Sequence, residues 1–340
     1  MVHDNYLYSK NKQSSVNIKV NNLLTLQKTL MDSPVISRLA PTPSGYLHLG
    51  NAFNFLLTAL LVDFQDGHLH LRIDDLDEPR VMQSSVEDIF IQLEWLGIDY
   101  DFGPSGPDDF FSKFSQRLRM ELYHESLELL RKSGHIFACE CSRSEIRQIS
   151  SNGNYPGTCR NKKLNLLKDN QTWRILVPAH TLVCLKIFTN KIEKIDVSRE
   201  MADFVIKRRD GLPAYQLASI MDDLELGVNL VVRGYDLKSS TGAQLYLAKC
   251  LNDSIFPETH FVHHVIQTDD AGDKLSKSKG AHSIQMLREK HRNPTWIYQE
   301  TAKLLNLPFE EIQTLEDLKE VFRSIMILKG GANSILDHKN

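Results

Sequence analysis

The sequence lacks any run of about 18 apolar residues, and its first thirty positions lack the basic, apolar and small-residue zones of a secretory signal. It also lacks a nucleophile motif and an internal repeat. The first two absences argue against an apolar transmembrane helix and a secreted scaffold, and a cytoplasmic protein without membrane contact is expected. Cysteine is scarce, with five among 340 residues, and in a reducing compartment so few thiols favour metal binding over disulfides. Charge of one sign is missing too. With a formal net charge of −3, contact with a polyanion must come from local basic patches. What is present is a chain 41% apolar, able to bury a full core in about two domains.

Residues 1–34 are rich in Asn, Lys and Ser and read as a disordered extension. From Val35 a short β-like run ends at Pro41 and Pro43, and an apolar stretch of helical length opens at Gly50. A second strand, His68 to Ile73, leads into Asp74, Asp75 and Asp77. Strand, helix, strand at this spacing is the unit of a parallel α/β sheet. The chain changes character near Pro104, with Gly-Pro-like breaks and a cysteine cluster, and the alternation returns after Asp203. The spacing predicts a strand into Lys207, a helix Tyr215 to Leu224, a strand Asn229 to Val232, a helix from Thr241 and a strand Phe261 to Ile266. The last fifty residues are helical in pattern, with Asn293-Pro294 as a start signal.

Two segments carry chemistry. In Arg38-Leu-Ala-Pro-Thr-Pro-Ser-Gly-Tyr-Leu-His48-Leu-Gly50-Asn51, Gly50 permits close backbone approach. The helix beginning there aims unpaired N–H groups and its positive dipole end at the loop, which suits a phosphate. His48 and Asn51, three apart, can face one site. Far downstream, Lys274-Leu-Ser276-Lys277-Ser-Lys279 is a basic loop bracketed by glycines. Its ammonium groups and hydroxyls can clamp a triphosphate and neutralise departing pyrophosphate.

These segments resemble the His-Ile-Gly-His and Lys-Met-Ser-Lys-Ser signatures of class I aminoacyl-tRNA synthetases, in the correct order. Together with Leu71-Arg-Ile-Asp-Asp-Leu-Asp, Tyr215-Gln-Leu-Ala-Ser-Ile-Met-Asp-Asp and Val232-Arg233-Gly-Tyr-Asp, they are similar to the glutamyl-tRNA synthetase catalytic core from about Val35 to Ile284. The resemblance implies ATP as a substrate with Mg2+, bound by Pro43, His48, Gly50, Asn51, Lys274, Ser276 and Lys277, of which His48, Asn51 and Lys277 face the developing charge. It implies a pocket for L-glutamate formed by Arg38, Ala40, Thr42, Asp74, Tyr215 and Arg233. There Arg38 and Arg233 would pair with carboxylates, Tyr215 would donate a hydrogen bond and Asp74 would take the ammonium. An Arg fork at 233 suits a carboxylate where a neutral side chain would suit an amide. The chain departs from the pattern at Asp74, where bacterial glutamyl enzymes usually have Glu, and at Asn51, Thr42 and Leu224.

Cys139 and Cys141, two apart, would point to one side of an extended segment, and Cys159 can close on the same ion from the loop beyond. Three thiolates leave one ligand missing. The arrangement resembles the Zn2+ site of the glutamyl-queuosine tRNA(Asp) synthetases, a truncated branch of the family, which implies Tyr155 as fourth ligand with His135 in reserve; unligated buried cysteines are the plain alternative. Cys184 and Cys250 read as core residues.

The fold implied is α/β: a Rossmann-type parallel-sheet catalytic domain in two halves, 35–103 and 201–290, interrupted at 104–200 by a zinc-containing α+β insertion. A short helical segment at 291–340 leaves no room for an anticodon-binding domain. The implied partner is tRNA(Asp) carrying queuosine, reached by a monomer. Lys207, Arg208 and Arg209 and Arg288, Lys290 and Arg292 are local candidates for phosphate contacts. The alternatives are a short glutamyl- or glutaminyl-tRNA synthetase charging a 3′ end, and a non-catalytic tRNA-binding derivative.

Overall fold

The computed structural model describes residues 34–76, 81–150, 153–188, 191–264 and 283–336. Strand β1 (Ile36–Leu39), helix α1 (Leu49–Phe64) and strand β2 (His68–Leu71) form the first unit. The strands run parallel, with Ile36 opposite His68 and Leu39 opposite Leu71. Gly67 lets α1 turn back into β2, because a Cβ there would stand 2.4 Å from the Val35 carbonyl oxygen. α1 is apolar almost all round, as a helix must be when covered on every side. It lies on the strands and beneath the C-terminal helices, and Phe55, Leu56, Leu57, Leu60 and Leu61 are all buried.

Helix α2 (Gln83–Trp95), helix α3 (Met120–Lys132), strand β3 (Ile136–Cys139) and helix α4 (Arg143–Ile149) follow, then strands β4 (Thr172–Ile175), β5 (Leu182–Ile187), β6 (Ile192–Asp196) and β7 (Val205–Lys207). Helix α5 (Tyr215–Glu225), strand β8 (Leu230–Gly234), helix α6 (Lys238–Cys250) and strand β9 (His260–His264) restore the alternation. Among the described residues the chain closes with helices α7 (Ile284–Lys290), α8 (Thr295–Leu304) and α9 (Leu315–Leu336).

β8 and β9 are parallel, β9 is parallel to β5, and β6 is antiparallel to β5 at the edge. Asn229 joins this sheet to the β1–β2 pair. Its side-chain oxygen accepts from the Ile36 N–H at 2.8 Å, and its own N–H donates to the Ile36 carbonyl at 3.0 Å. The Ser37 hydroxyl adds a bond of 2.8 Å to the Leu230 carbonyl. β3, β4 and β7 form a separate antiparallel sheet.

The expected halves thus interleave. β5 and β6, anticipated inside the 104–200 insertion, lie in the sheet of β8 and β9, whereas β7, anticipated as the start of the second half, pairs with β4. Apolar alternation shows that a strand exists, but its partner is decided by tertiary contacts. Strand ends moved as well: β2 stops at Leu71, and β8 runs on through Arg233 to Gly234. Residues 1–33, within the expected extension, lie outside the described residues.

Candidate active site

A cavity of about 450 Å³ opens at the carboxyl ends of β1, β8 and β9, where α/β sheets place ligands. Arg38, Ala40, Thr42, His48, Gly50, Asn51, Asp74, Tyr215 and Arg233 all line it. Residues spread over nearly two hundred positions therefore converge because parallel strands bring their carboxyl ends to one edge. Pro43 is the exception: it is buried away from the cavity, and its carbonyl accepts from the Met82 N–H at 3.2 Å. That bond ties the loop to the start of α2.

His48 caps α1. Its N–H donates to the Asn51 side-chain oxygen at 3.0 Å, which leaves the Asn51 amide NH2 to face a ligand. Burial holds the imidazole below its usual pKa, so it is neutral near pH 7, and Nδ1 has no partner among the described residues. Gly50 is required by that ring, because a Cβ would stand 2.9 Å from His48 Cε1. Lys274, Ser276 and Lys277 lie outside the described residues, but the residues flanking that stretch stand at the cavity. His264 lines it, and Ser283 bridges to His48.

The cationic side of the cavity is built on a buried ion network. Arg38 Nε donates to Asp223 Oδ1 at 2.8 Å, and Arg72 Nη1 donates to the same oxygen at 2.6 Å. Arg72 also grips both oxygens of Asp74, at 2.7 and 3.1 Å, and bonds Ser219. Burial opposes the charge of Asp223, but Arg38 and Arg72 outweigh it and hold the pKa below the usual range. For Asp74 burial wins over Arg72, and the pKa is raised. A carboxylate has about four acceptor positions, so Asp74 keeps capacity for an ammonium.

Arg233 differs from its neighbours. It is only 4% exposed, its Nη2 donates to Gln244 at 2.9 Å, and its Nε and Nη1 have no partner among the described residues. Burial without a bonded carboxylate pulls its pKa below the ordinary value, and it stays charged at neutral pH. A buried cation on a cavity lining, bonded only to neutral Gln244 among the described residues, is complementary to a carboxylate.

Sequence reasoning gave no role to Arg72, Gln244, Asn54 or His264. Arg72 and Asp74 are two apart on an extended segment and share a face, so that signal was available. The contact of 3.0 Å between Asn54 and His264, which joins α1 to β9, left none.

At and beyond the end of β3, the Sγ atoms of Cys139, Cys141 and Cys159 lie within 4.8 Å of one another. The Tyr155 hydroxyl joins them, 3.4 Å from Cys139 Sγ and 4.0 Å from Cys141 Sγ. Tetrahedral zinc with bonds of about 2.3 Å places sulfurs roughly 3.8 Å apart, so the donor set fits that ion. His135 is exposed and outside the cluster. Cys250 is buried as expected, but Cys184 is exposed, because it sits on the outward face of β5.

Comparison with known proteins decides the lineage. Residues 34–338 match the family described as tRNA synthetases class I (E and Q), catalytic domain. The chain belongs to that family. The synthetase is 35% identical over 298 residues to a glutamyl-Q tRNA(Asp) synthetase of Prochlorococcus marinus (strain MIT 9303), covering 86% of this chain and 89% of the relative. It is 38% identical over 246 residues to the protein so named in Pseudomonas syringae pv. syringae, covering 72% and 77%. The glutamate-tRNA synthetase structure from Elizabethkingia anophelis shares the fold, with TM-score 0.68 and 22% identity over 86% of this chain and 66% of that one. The synthetase is thus a ligase with the class I α/β fold.

Proposed function

We propose that the synthetase activates L-glutamate with ATP and transfers it to the queuosine base of tRNA(Asp). The observation that carries the amino-acid assignment is Arg233, a buried cation on the lining of the cavity that His48 and Asp74 share, bonded only to neutral Gln244 among the described residues. The names of the relatives support the acceptor.

In this reading Arg233 holds the side-chain carboxylate, Asp74 takes the ammonium and the Tyr215 hydroxyl donates a hydrogen bond to the amino acid. The α-carboxylate oxygen attacks the α-phosphorus; that P–O bond forms, and the bond to pyrophosphate breaks. Charge growing on the phosphate is met by neutral His48, the Asn51 NH2, the N-terminus of α1 and Lys277. Mg2+ carried by the ATP phosphates would neutralise part of their charge. A hydroxyl of the acceptor then attacks the adenylate carbonyl, AMP leaves, and the hydroxyl proton passes to the AMP phosphate. Zn2+ held by Cys139, Cys141, Tyr155 and Cys159 would fix the insertion and take no part in the chemistry.

Pyrophosphate exchange with single amino acids in the absence of tRNA tests the pocket. Exchange with glutamate alone is expected; exchange with glutamine or aspartate instead would overturn the assignment. Mapping the product ester to the anticodon or to the 3′ end separates queuosine transfer from ordinary charging.

A further inference from the structure

Gln244 lies on α6, fully buried and outside the lining of the cavity, yet it holds Arg233, which meets no carboxylate among the described residues. One turn earlier on the same face of α6, the Thr241 hydroxyl meets His263 Nε2 at 2.8 Å, and His263 stands opposite Arg233 across β8 and β9. The helix thus grips two neighbouring side chains of the sheet with two of its own. Phe261, two before His263 on β9, places its ring 5.4 Å from the guanidinium carbon.

An arginine can only donate, so the Gln244 oxygen accepts from Arg233 Nη2 at 2.9 Å. That fixes the amide orientation, and the Gln244 NH2 is buried with no partner among the described residues. A glutamate of the same size would bring no unmet donor and would meet Arg233 with a full charge. Arg38 and Arg72 are met in that way by Asp223, and Arg119 by Asp222. The neutral side chain therefore forgoes an ion pair of the kind the same core uses elsewhere. With Arg38, Arg72 and Arg233 set against ionised Asp74 and Asp223, the site is left with one positive charge in excess. Zwitterionic glutamate has one negative charge in excess, and a carboxylate at position 244 would remove that complementarity.

We infer that Gln244 is a positioning residue that sets the choice of acid over amide: from outside the cavity it anchors the Arg233 guanidinium while leaving its charge to be met by the side-chain carboxylate of the amino acid. The inference rests on the reading that Arg233 receives that carboxylate, and it adds the residue that keeps the arginine available.

The test is pyrophosphate exchange by the whole protein with glutamate and with glutamine over a range of concentrations. Wild type, Gln244→Glu and Gln244→Met are compared, each checked for folding by circular dichroism. Gln244→Glu is expected to raise KM for glutamate roughly tenfold and to lower the ratio of kcat/KM for glutamate over glutamine by roughly tenfold or more. Gln244→Met removes the anchor and keeps the charge, so KM for glutamate should rise about threefold while kcat and the preference for glutamate stay near wild type. A glutamine that served only packing would not separate the two variants in their preference. Wild-type exchange with glutamate, together with an undisturbed ratio in Gln244→Glu or an equal fall in Gln244→Met, would overturn the inference and leave the substrate reading intact. Should Gln244→Glu not fold, Gln244→Met decides: an unchanged KM for glutamate overturns the inference, and a raised KM at constant kcat sustains it. Wild-type exchange with glutamine in place of glutamate would overturn the reading of the pocket, and the inference with it.

Discussion

Arg233 shows how one side chain can be costly to the fold and necessary to the site. A buried cation with a single neutral partner destabilises the unliganded protein. Arg233→Gln should keep a bond to Gln244 while removing the charge. Glutamate-dependent pyrophosphate exchange is expected to fall about 10²-fold, equivalent to ~2.7 kcal/mol, while the unliganded melting temperature rises. Retained exchange would refute the role. Asp74 gives a pH signature. Its raised pKa means that it protonates at a higher pH than an ordinary aspartate, and the protonated form cannot hold an ammonium. KM for glutamate should therefore climb as pH falls, starting above the usual carboxylate range, and Asp74→Asn should erase that limb. His48, neutral below its usual pKa, should add no inflection between pH 7 and 6.5.

The cysteine-bearing loop gathers three thiols, and the first helix places His48 and Asn51 at the cavity. Ligated thiols react slowly, so thiol titration of the native protein should show one fast group, Cys184, and a chelator should release up to three more, Cys139, Cys141 and Cys159. Unchanged titration after chelation would mean that no metal is held. The start of α1 depends on Gly50, so Gly50→Ala should displace the His48 ring and lower exchange, with a smaller effect on the melting temperature. The helix itself was legible: its length, apolar content and glycine start predicted what is observed at Leu49–Phe64. The strand ends were less so. β8 carries Arg233 within it because pairing with β9 extends it through Gly234, and only the partner strand could have shown that.

For the whole molecule, stability at neutral pH is tied to the central ion network as well as to the core. Asp223 has a folded pKa below its unfolded value, so its contribution is present above the ordinary aspartate range and is lost as pH falls through the lowered value. Asp74, raised, acts in the opposite sense: it favours the fold below the ordinary range, and that contribution is lost as pH rises through its folded pKa. Glutamate binding, which supplies an ammonium to ionised Asp74, should therefore stabilise the protein more at pH 7 than at pH 5, measured as a ligand-induced shift in melting temperature. In the core, Leu60 is fully buried on α1 between the sheet and the C-terminal helices, and Leu60→Ala should cost about 3 kcal/mol in denaturant unfolding.

The sequence by itself determined the alternation of strand and helix, the loop from Arg38 to Asn51, the cysteine cluster and the residue types that a dicarboxylic amino acid and a triphosphate need. These are local properties, written in spacing and side-chain chemistry. Only the tertiary structure decided that β5 joins the sheet of β8 and β9 while β7 leaves it, that Arg72 is the hub between Asp74 and Asp223, and that among the described residues Arg233 bonds only neutral Gln244 while Arg38 meets Asp223. Pairing of distant strands and compensation of buried charge depend on which segments meet in space, and spacing along the chain does not encode that.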